Sequence, residues 1–237
     1  MLVLAVETST PTVSVAIGHD GSVLGAVQLG GGRRHAERLA PAIRYLCDET
    51  GVELGQLAAV AVGIGPGLFT GLRVGVTTAK VMAWALRVPV VGVPTLDLVA
   101  YPLRHCGRTV VAVLDARRRE VFTARYRGVP GGLQRVSDYA VMTPADLAAE
   151  LAADPGARAH GALLAGDGVA RHAAELAGLD HAEVAGPEFA APSVGALVAL
   201  ATARVEREEF APPRELVPMY LRRSDAEIAW DVRAAAG

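Results

Sequence analysis

The stretch Gly63-Ile-Gly-Pro-Gly-Leu-Phe-Thr-Gly-Leu-Arg73 stands between an apolar run at 58–64 and a helical pattern at about 70–86. Three glycines and a proline within five residues bend the backbone sharply, so we expect a positive φ at one of the glycines. A strand that turns directly into a helix leaves unpaired N–H groups at the helix start, where anions often bind. The spacing favours an anion site and a plain tight connection about equally.

Two common phosphate-binding loops do not fit this stretch. A dinucleotide-binding loop has glycines at offsets one, three and six, but Leu68 or Thr70 stands where the third glycine would be. A P-loop ends in Gly-Lys-Ser/Thr, whereas the chain's only lysine, Lys80, lies deep in the following helix.

The helix after the loop carries small residues at every fourth position and an apolar seam beside them. The small residues are Gly71, Gly75, Ala79 and Ala83, and the seam comprises Leu72, Val76, Ala79, Ala83 and Leu86. A helix that is apolar nearly all round is buried on both sides. Either it is sandwiched inside its own domain, or its small residues let a partner chain approach closely, as they do in membranes.

Composition restricts the class of protein. The chain has 237 residues, enough for one large or two small domains, with 51% hydrophobic and 20% charged residues. A net charge of −2 gives no general attraction to nucleic acid or to an anionic membrane. Two isolated cysteines fit a cytoplasmic protein with reduced thiols, and we expect neither a signal peptide nor a membrane span.

Turn signals and apolar runs predict two similar halves, 1–105 and 106–237. The first reads strand-strand-strand-helix-strand-helix-strand, with a helix at about 35–50. The second restarts at 109 with a strand hairpin and a third strand at 133–139, followed by helices at 144–153, 169–176 and 193–207 and loops at 152–161 and 178–192. Each first strand ends in an acid, Glu7 or Asp115. The prediction is an α/β fold of two mixed sheets with helices, the second half reduced.

Duplicated halves with such acids resemble the actin/sugar-kinase/Hsp70 superfamily, whose halves are ribonuclease H-like. Four motifs together resemble the TsaB (YeaZ) family over nearly the whole chain: Leu4-Ala-Val-Glu-Thr-Ser9, the 63–73 stretch, Leu114-Asp-Ala-Arg117 with Glu120-Val121, and Pro218-Met-Tyr-Leu-Arg222. The resemblance implies a partner subunit in the synthesis of N6-threonylcarbamoyladenosine at position 37 of tRNAs that read codons starting with A. It also implies two protein partners, the catalytic paralogue TsaD and the ATPase TsaE, with threonylcarbamoyl transferred from its adenylate.

The catalytic paralogue has a His-His-Met-Glu-Gly-His segment after the strand that follows the glycine-loop helix, and two of its histidines bind a metal. This chain has Pro94-Thr-Leu-Asp-Leu-Val99 there. Threonine and valine cannot replace two imidazole ligands. We therefore expect no catalytic residue and no metal site in this chain, and a metalloprotease activity is excluded on the same ground.

By resemblance, Glu7 and Asp115 stand where acids of the superfamily hold Mg²⁺-bound phosphates. Other residues at such nucleotide loops are Thr8, Ser9, Gly65, Gly67, Gly166 and Gly168. We expect these loops to be structural or vestigial and the chain to bind no cofactor, with the complex using ATP and a metal held by the paralogue. The alternatives are a small-molecule kinase or ATPase of the same superfamily, and a free-standing regulatory dimer.

The two early helices carry more apolar surface than one sheet should cover, and the resemblance implies that they pack against the paralogue, or form a homodimer when it is absent. The predicted interface residues are Leu39, Ile43, Leu46, Gly71, Leu72, Gly75, Val76, Ala79 and Ala83. Ala79→Arg or Ala83→Arg is then expected to break association but leave the monomer folded. Short basic clusters at 33–34 and 117–119 are interpreted as solvated surface, with tRNA contacted mainly through the complex.

Overall fold

A computed structural model describes residues 1–30 and 34–222, so Arg33 lies outside the described residues. The first sheet has the strand order β3-β2-β1-β4-β5. Its strands are β1 (Leu2–Glu7), β2 (Val13–His19), β3 (Ser22–Leu29), β4 (Ala59–Gly63) and β5 (Val90–Val93). Strands β1 to β3 form an antiparallel meander, while β4 runs parallel to β1 and β5 parallel to β4. The predicted order and the mixed sheet are confirmed.

The second sheet repeats the plan of the first. Its strands are β6 (Thr109–Arg117), β7 (Glu120–Val129), β8 (Gly132–Arg135), β9 (Ala140–Met142), β10 (Ala162–Ala165) and β11 (Ala182–Val184). The order is β11-β10-β6-β7-β8, and β9 also pairs with β7. Strands β6 and β7 form an antiparallel hairpin, and β10 lies parallel to β6.

Helices cover both faces of the first sheet. Helices α1 (His35–Thr50) and α2 (Phe69–Leu86) pack on one face, where the valine and leucine side chains of the strands meet Leu39, Leu46 and Val76. Helix α1 ends at Gly51, whose φ of 67° is left-handed, as expected for a glycine after a helix end. Helix α8 (Val194–Glu206) covers the other face through Leu197, Val198 and Ala201.

The described residues also form five shorter α-helices. They are α3 (Thr95–Ala100), α4 (Pro144–Ala153), α5 (Pro155–His160), α6 (Asp167–Arg171) and α7 (Ala173–Leu176). Helix α3 lies on one face of the second sheet and joins Leu96 and Val99 to its core. Helices α4 to α7 cover the opposite face.

Several predictions for the second half need correction. The stretch at 152–161 contains α5, and the stretch at 178–192 contains β11 and a short 3-10 turn at Pro187–Phe189. These elements are only three to six residues long, too short for hydrophobic periodicity to identify. The stretch at 133–139 contains only β8 and the end of a loop, and 169–176 is divided between α6 and α7 at His172.

One helix of the predicted second half packs against the first sheet. Helix α8 belongs to the second half in chain order but packs on the first sheet, where it contacts β1, β2 and β3. The second sheet has no fewer described strands than the first, so the reduction of the second half lies in its short helices.

The segment 211–222, here called the C-terminal strap, joins the two halves. Ala211 pairs with Val90, and Leu216 is buried in the core of the first sheet. Lys80 on α2 donates to the carbonyl of Leu216 at 2.8 Å. The strap ends at Arg222, which pairs with Glu120 on β7 at 2.8 Å. Among the described residues, no helix is both long and apolar enough to cross a lipid bilayer.

Candidate functional site

The glycine loop is built around Glu7. Strands β1 and β4 are parallel neighbours, so their carboxyl ends lie side by side and bring Glu7 next to Gly63. The carboxyl group of Glu7 fills the space that a side chain on Gly63 would need. Glu7 Oε1 accepts a 2.6 Å hydrogen bond from the N–H of Ser9, while Oε2 is buried and has no partner among the described residues.

Burial raises the pKa of Glu7 to about 7, because a carboxylate loses its hydration there, and the hydrogen bonds from Ser9 and Thr8 only partly oppose that effect. Close to neutral pH, this carboxyl group is therefore divided between its neutral and ionised forms. The carboxyl group packs beneath the glycine loop (residues 63–68) at Gly63 and helps to hold that loop in place.

The small residues of α2 serve contacts within this chain. A Cβ at Gly71 would collide with the carbonyl of Thr8, and one at Gly75 would collide with the Thr8 hydroxyl. With that space open, Thr8 Oγ1 donates to the carbonyl of Gly71 at 2.8 Å. Similarly, Gly67 leaves room for Ser9, whose carbonyl accepts from the N–H of Leu68 at 2.7 Å. The small-residue strip thus lets α2 lie against the turn between β1 and β2.

The expected positive φ occurs at Gly65, at 101°. Here the chain comes close to the C-terminal strap and to Thr95, whose hydroxyl accepts from the N–H of Gly65 at 3.1 Å. Since the N–H groups of Gly65 and Leu68 both have partners within the chain, fewer donors of this loop are available to an anion than the sequence allows.

In the second half, Asp115 lies near the end of β6 and is held by basic groups. Its Oδ2 atom is 3.2 Å from Arg117 Nη1 and 3.2 Å from Arg171 Nε, and its Oδ1 atom accepts from the N–H of Arg117 at 3.0 Å. The N–H of Asp115 donates to Asp167 Oδ1 at 3.0 Å. Burial also raises the pKa of Asp167. The carboxylate of Asp115 is therefore engaged by two guanidinium groups.

Gly166 and Gly168 have packing roles. Gly166 has a φ of 114° and lies against the backbone of Val113, and Gly168 lies against Leu114. They allow α6 to approach β6 and so bring Asp167 beside Asp115.

A small cleft, open to solvent, lies between the two loops. From the first half it is lined by Ser9, Thr10 and Gly67, and from the second half by Asp115, Arg117 and Asp167. The structure thus brings Ser9, Gly67 and Asp115 to one cleft, whereas Glu7 lies behind it and is fully covered.

Sequence reasoning missed a junction at α3. Asp97 Oδ1 accepts hydrogen bonds from Tyr126 at 2.8 Å and from Tyr139 at 2.7 Å, and both tyrosines belong to the second half. Burial, followed by the charge of Asp97, raises the pKa of both phenols, so they stay protonated and donate. The segment 94–99, where the paralogue is expected to hold its metal, therefore ties the halves together. No sequence signal pairs Asp97 with tyrosines 29 and 42 residues away.

The predicted interface residues require a correction. All nine, from Leu39 on α1 to Ala83 on α2, are buried inside this chain. They face the first sheet or the turn after β1 and cannot form a partner surface. Ala79 and Ala83 are completely covered, so an arginine at either position would disrupt the monomer itself.

The outward face of these two helices carries different apolar residues. Trp84 is 77% exposed and Val81 58% on α2, and Tyr45 is 55% exposed on α1. We call these three residues the outer helix patch. Val81 and Trp84 are three residues apart on α2, so their side chains are neighbours on one side of that helix.

Comparison with known proteins identifies the family. The family model described as "TsaD: tRNA N6-adenosine threonylcarbamoyltransferase" matches residues 28–230. A solved structure of YeaZ from Pseudomonas aeruginosa is 32% identical, has a TM-score of 0.80, and the match covers 93% of this chain and 99% of that one. This chain belongs to the TsaB/YeaZ family. The two halves are accordingly those of the actin/Hsp70-like superfamily, as the sequence predicted.

Two further relatives place the chain within that family. An uncharacterized protein of Mycobacterium tuberculosis is 39% identical over 227 residues, 95% of this chain and 93% of that protein. The tRNA threonylcarbamoyladenosine biosynthesis protein TsaB of Bacillus subtilis is 33% identical over 136 residues, 57% of this chain and 59% of that protein. The chain is thus similar to TsaB proteins over about half its length and to the mycobacterial protein over nearly all of it.

Proposed function

We propose that this chain is a non-catalytic partner subunit in the synthesis of threonylcarbamoyladenosine in tRNA. It pairs with a TsaD-like catalytic paralogue, a TsaE-like ATPase joins them, and the complex transfers threonylcarbamoyl from its adenylate to the tRNAs that read codons starting with A. The names of its TsaB relatives support the pathway. The observation that carries the role of partner is the outer helix patch, since Trp84 and Val81 stand exposed on a helix whose inner face is already packed.

Within this proposal the patch is covered by the equivalent helices of the paralogue. Tyr45 lies on α1 and Trp84 on α2, and the two helices contact each other on the same face of the first sheet. Aromatic side chains are frequent among the residues that dominate binding energy at interfaces. When the paralogue is absent, two copies of this chain cover the patch, giving a homodimer in the cytoplasm.

The cleft supports an accessory role. The carboxylate of Asp115 is paired with Arg117 and Arg171, and Glu7 is sealed beneath Gly63, so neither is placed to hold a Mg²⁺-bound phosphate. In the part of the chain that the structure describes, no three His, Cys, Asp or Glu side chains lie close enough to hold a metal ion by themselves. With both acids engaged in this way, the residues do not suit a Mg²⁺-bound nucleotide, which supports the proposal that this chain binds no cofactor of its own.

The test is co-purification of this chain with its host's TsaD-like paralogue, followed by addition of the TsaE-like ATPase and measurement of tRNA modification from threonylcarbamoyl-adenylate. Modification that requires this chain is the expected result. The proposal fails if the paralogue alone reaches full activity. It also fails in favour of a kinase or ATPase if this chain turns over ATP robustly by itself and Asp115→Ala abolishes that turnover.

A further inference from the structure

The turn between β6 and β7 consists of arginines in an unusual backbone conformation. Arg117, Arg118 and Arg119 have φ values of 63°, 53° and 61°, all left-handed. Residues with a Cβ are disfavoured in this region, and glycine or asparagine occupies it more readily. The chain therefore keeps guanidinium side chains where the backbone favours other residues. Non-glycine residues held in such conformations often occur at functional sites.

A stack of side chains lies at the start of α2. The rings of Phe69 and Tyr220 have centroids 5.1 Å apart, and Arg73 Cζ lies 4.0 Å from the Phe69 centroid. Tyr220 is 45% exposed although one side of its ring packs on Phe69. The stack thus holds an aromatic side chain in a fixed position at the surface.

The C-terminal strap connects this stack with the arginine turn. Arg222 follows Tyr220 by two residues and pairs with Glu120 at 2.8 Å, and Glu120 lies opposite Arg117 in the hairpin. These contacts link the stack on α2 to the arginine turn through the C-terminal strap. We call this set of residues the arginine–tyrosine strip; its members are Arg73, Tyr220, Arg222, Arg118 and Arg119.

Arg119 has its charge available to a ligand. Its side chain is exposed, and it makes no ion pair with any residue in the described ranges 1–30 and 34–222. Arg222, in contrast, is neutralised by Glu120 and positions the strap. The strip therefore combines a fixed aromatic side chain of the C-terminal strap with the exposed guanidinium group of Arg119 in the second half.

We propose that the arginine–tyrosine strip binds RNA, with a phosphate on Arg119 and an unpaired base against Tyr220. Arginine attracts phosphate through charge and paired hydrogen bonds, and aromatic rings hold splayed bases by stacking. An acidic peptide would satisfy the arginines but would not require the held ring. The net charge of −2 does not oppose this, because binding depends on the local surface. The inference rests on the proposed function for its choice of a tRNA segment as the RNA.

The experiment measures binding of a fluorescein-labelled anticodon stem-loop RNA to this chain by anisotropy at several salt concentrations. The same titrations are made with the complex that contains the paralogue. Tyr220→Leu is expected to weaken binding about fivefold or more through lost stacking, whereas Tyr220→Phe retains it. Phe210→Leu, a change at a ring with the similar exposure of 44%, is the matched control.

The charge component is tested separately with Arg119→Ala. It is expected to weaken binding and to reduce the slope of log affinity against log salt by about 0.7 to 1, the contribution of one phosphate contact. The control is Arg207→Ala, since Arg207 is exposed beyond the end of α8 and pairs with Glu209 there. Arg119→Lys should restore the slope because it restores the charge.

The inference is overturned if the RNA does not bind, if the strip variants and controls behave alike, or if polyglutamate displaces the RNA and binds more tightly through the same residues. Size-exclusion chromatography of each variant with the paralogue separates the two proposals. Loss of RNA binding with intact association supports the strip and leaves the partner role standing. RNA binding through the strip without any association would overturn the partner role alone.

Discussion

The carboxyl group of Glu7 lies against the backbone of Gly63, at the carboxyl ends of two parallel strands. It occupies the volume that a side chain on Gly63 would need. The first turn motif and the glycine loop are thus two sides of one contact. A substitution at Glu7 should therefore affect the loop that begins at Gly63, and a substitution at Gly63 should affect Glu7.

Gly63→Ala should destabilise the protein by about 1 to 3 kcal/mol, because the added methyl group collides with Glu7 in a packed core. Urea unfolding measures the change. Gly55→Ala is a suitable control, since nothing lies within 4 Å of a Cβ built at Gly55. Equal stability of the two variants would show that the contact does not restrict the loop.

Glu7→Gln should change how stability depends on pH. Burial raises the folded-state pKa of Glu7 from 4.5 to about 7, so the wild type has the full benefit of the neutral group below about pH 4.5 and loses it as the pH rises to about 7. Glutamine stays neutral and can still accept from the N–H of Ser9. The stability of the variant relative to wild type should rise over this window by about 3 kcal/mol.

Urea titrations at pH 4.5, 6 and 8 measure that difference. Glu49→Gln on the exposed side of α1 serves as the control. Parallel pH profiles for wild type and Glu7→Gln would contradict the assignment of a raised pKa to this carboxyl group.

Val81→Asp should abolish association with the paralogue while leaving the monomer folded, because it places a charge in the outer helix patch without disturbing the core. Trp84→Ala should weaken association by about 2 kcal/mol, roughly thirtyfold, as expected for a central aromatic residue. Size-exclusion chromatography and circular dichroism give the two readouts.

Val184→Asp is the matched control for that prediction, because Val184 is 66% exposed but lies on β11, far along the chain from both helices. If it disrupts association as strongly as Val81→Asp does, the outer helix patch is not the interface. Ala83→Arg differs from all three, since it should unfold the monomer.

Tyr126→Phe and Tyr139→Phe should each reduce stability by about 1.5 to 3 kcal/mol, the usual value of a hydrogen bond to a charged group. Asp97 accepts from both hydroxyls, so the losses should not be additive with that of Asp97→Asn in double-mutant cycles. Urea unfolding gives the energies, with exposed Tyr45→Phe as the control. Additive losses would mean that the two hydroxyls do not depend on Asp97.

Much of the fold follows from local patterns. Helix α1 was predicted at its observed bounds and α2 within one residue, because a long helix presents its 3.6-residue period many times. The acids at 7 and 115 were placed at strand ends because apolar runs stop there. The short elements α3, α5 and β11 were missed, since three to six residues do not define a period.

Which neighbours the side chains contact was harder to predict than where the helices and strands begin and end. The small residues of α2 predict close packing either inside the domain or against a partner chain, and Thr8 occupies that space from within the chain. Sequence spacing shows that something approaches Gly71 and Gly75 closely, and only the tertiary fold shows what it is. Likewise, the exposure of Trp84 depends on which face α1 and the sheet leave uncovered.

The packing of α8 on the first sheet has a consequence for synthesis of the protein. The back of that sheet, rich in alanine and valine, is complete at Val93, but most of its cover is helix α8, which begins only at Val194. A ribosome working at about 5 to 20 residues per second needs roughly 5 to 20 s to make the intervening chain. During that time the nascent first half exposes most of this apolar sheet face to water. Its core therefore cannot be completed before α8 has been made.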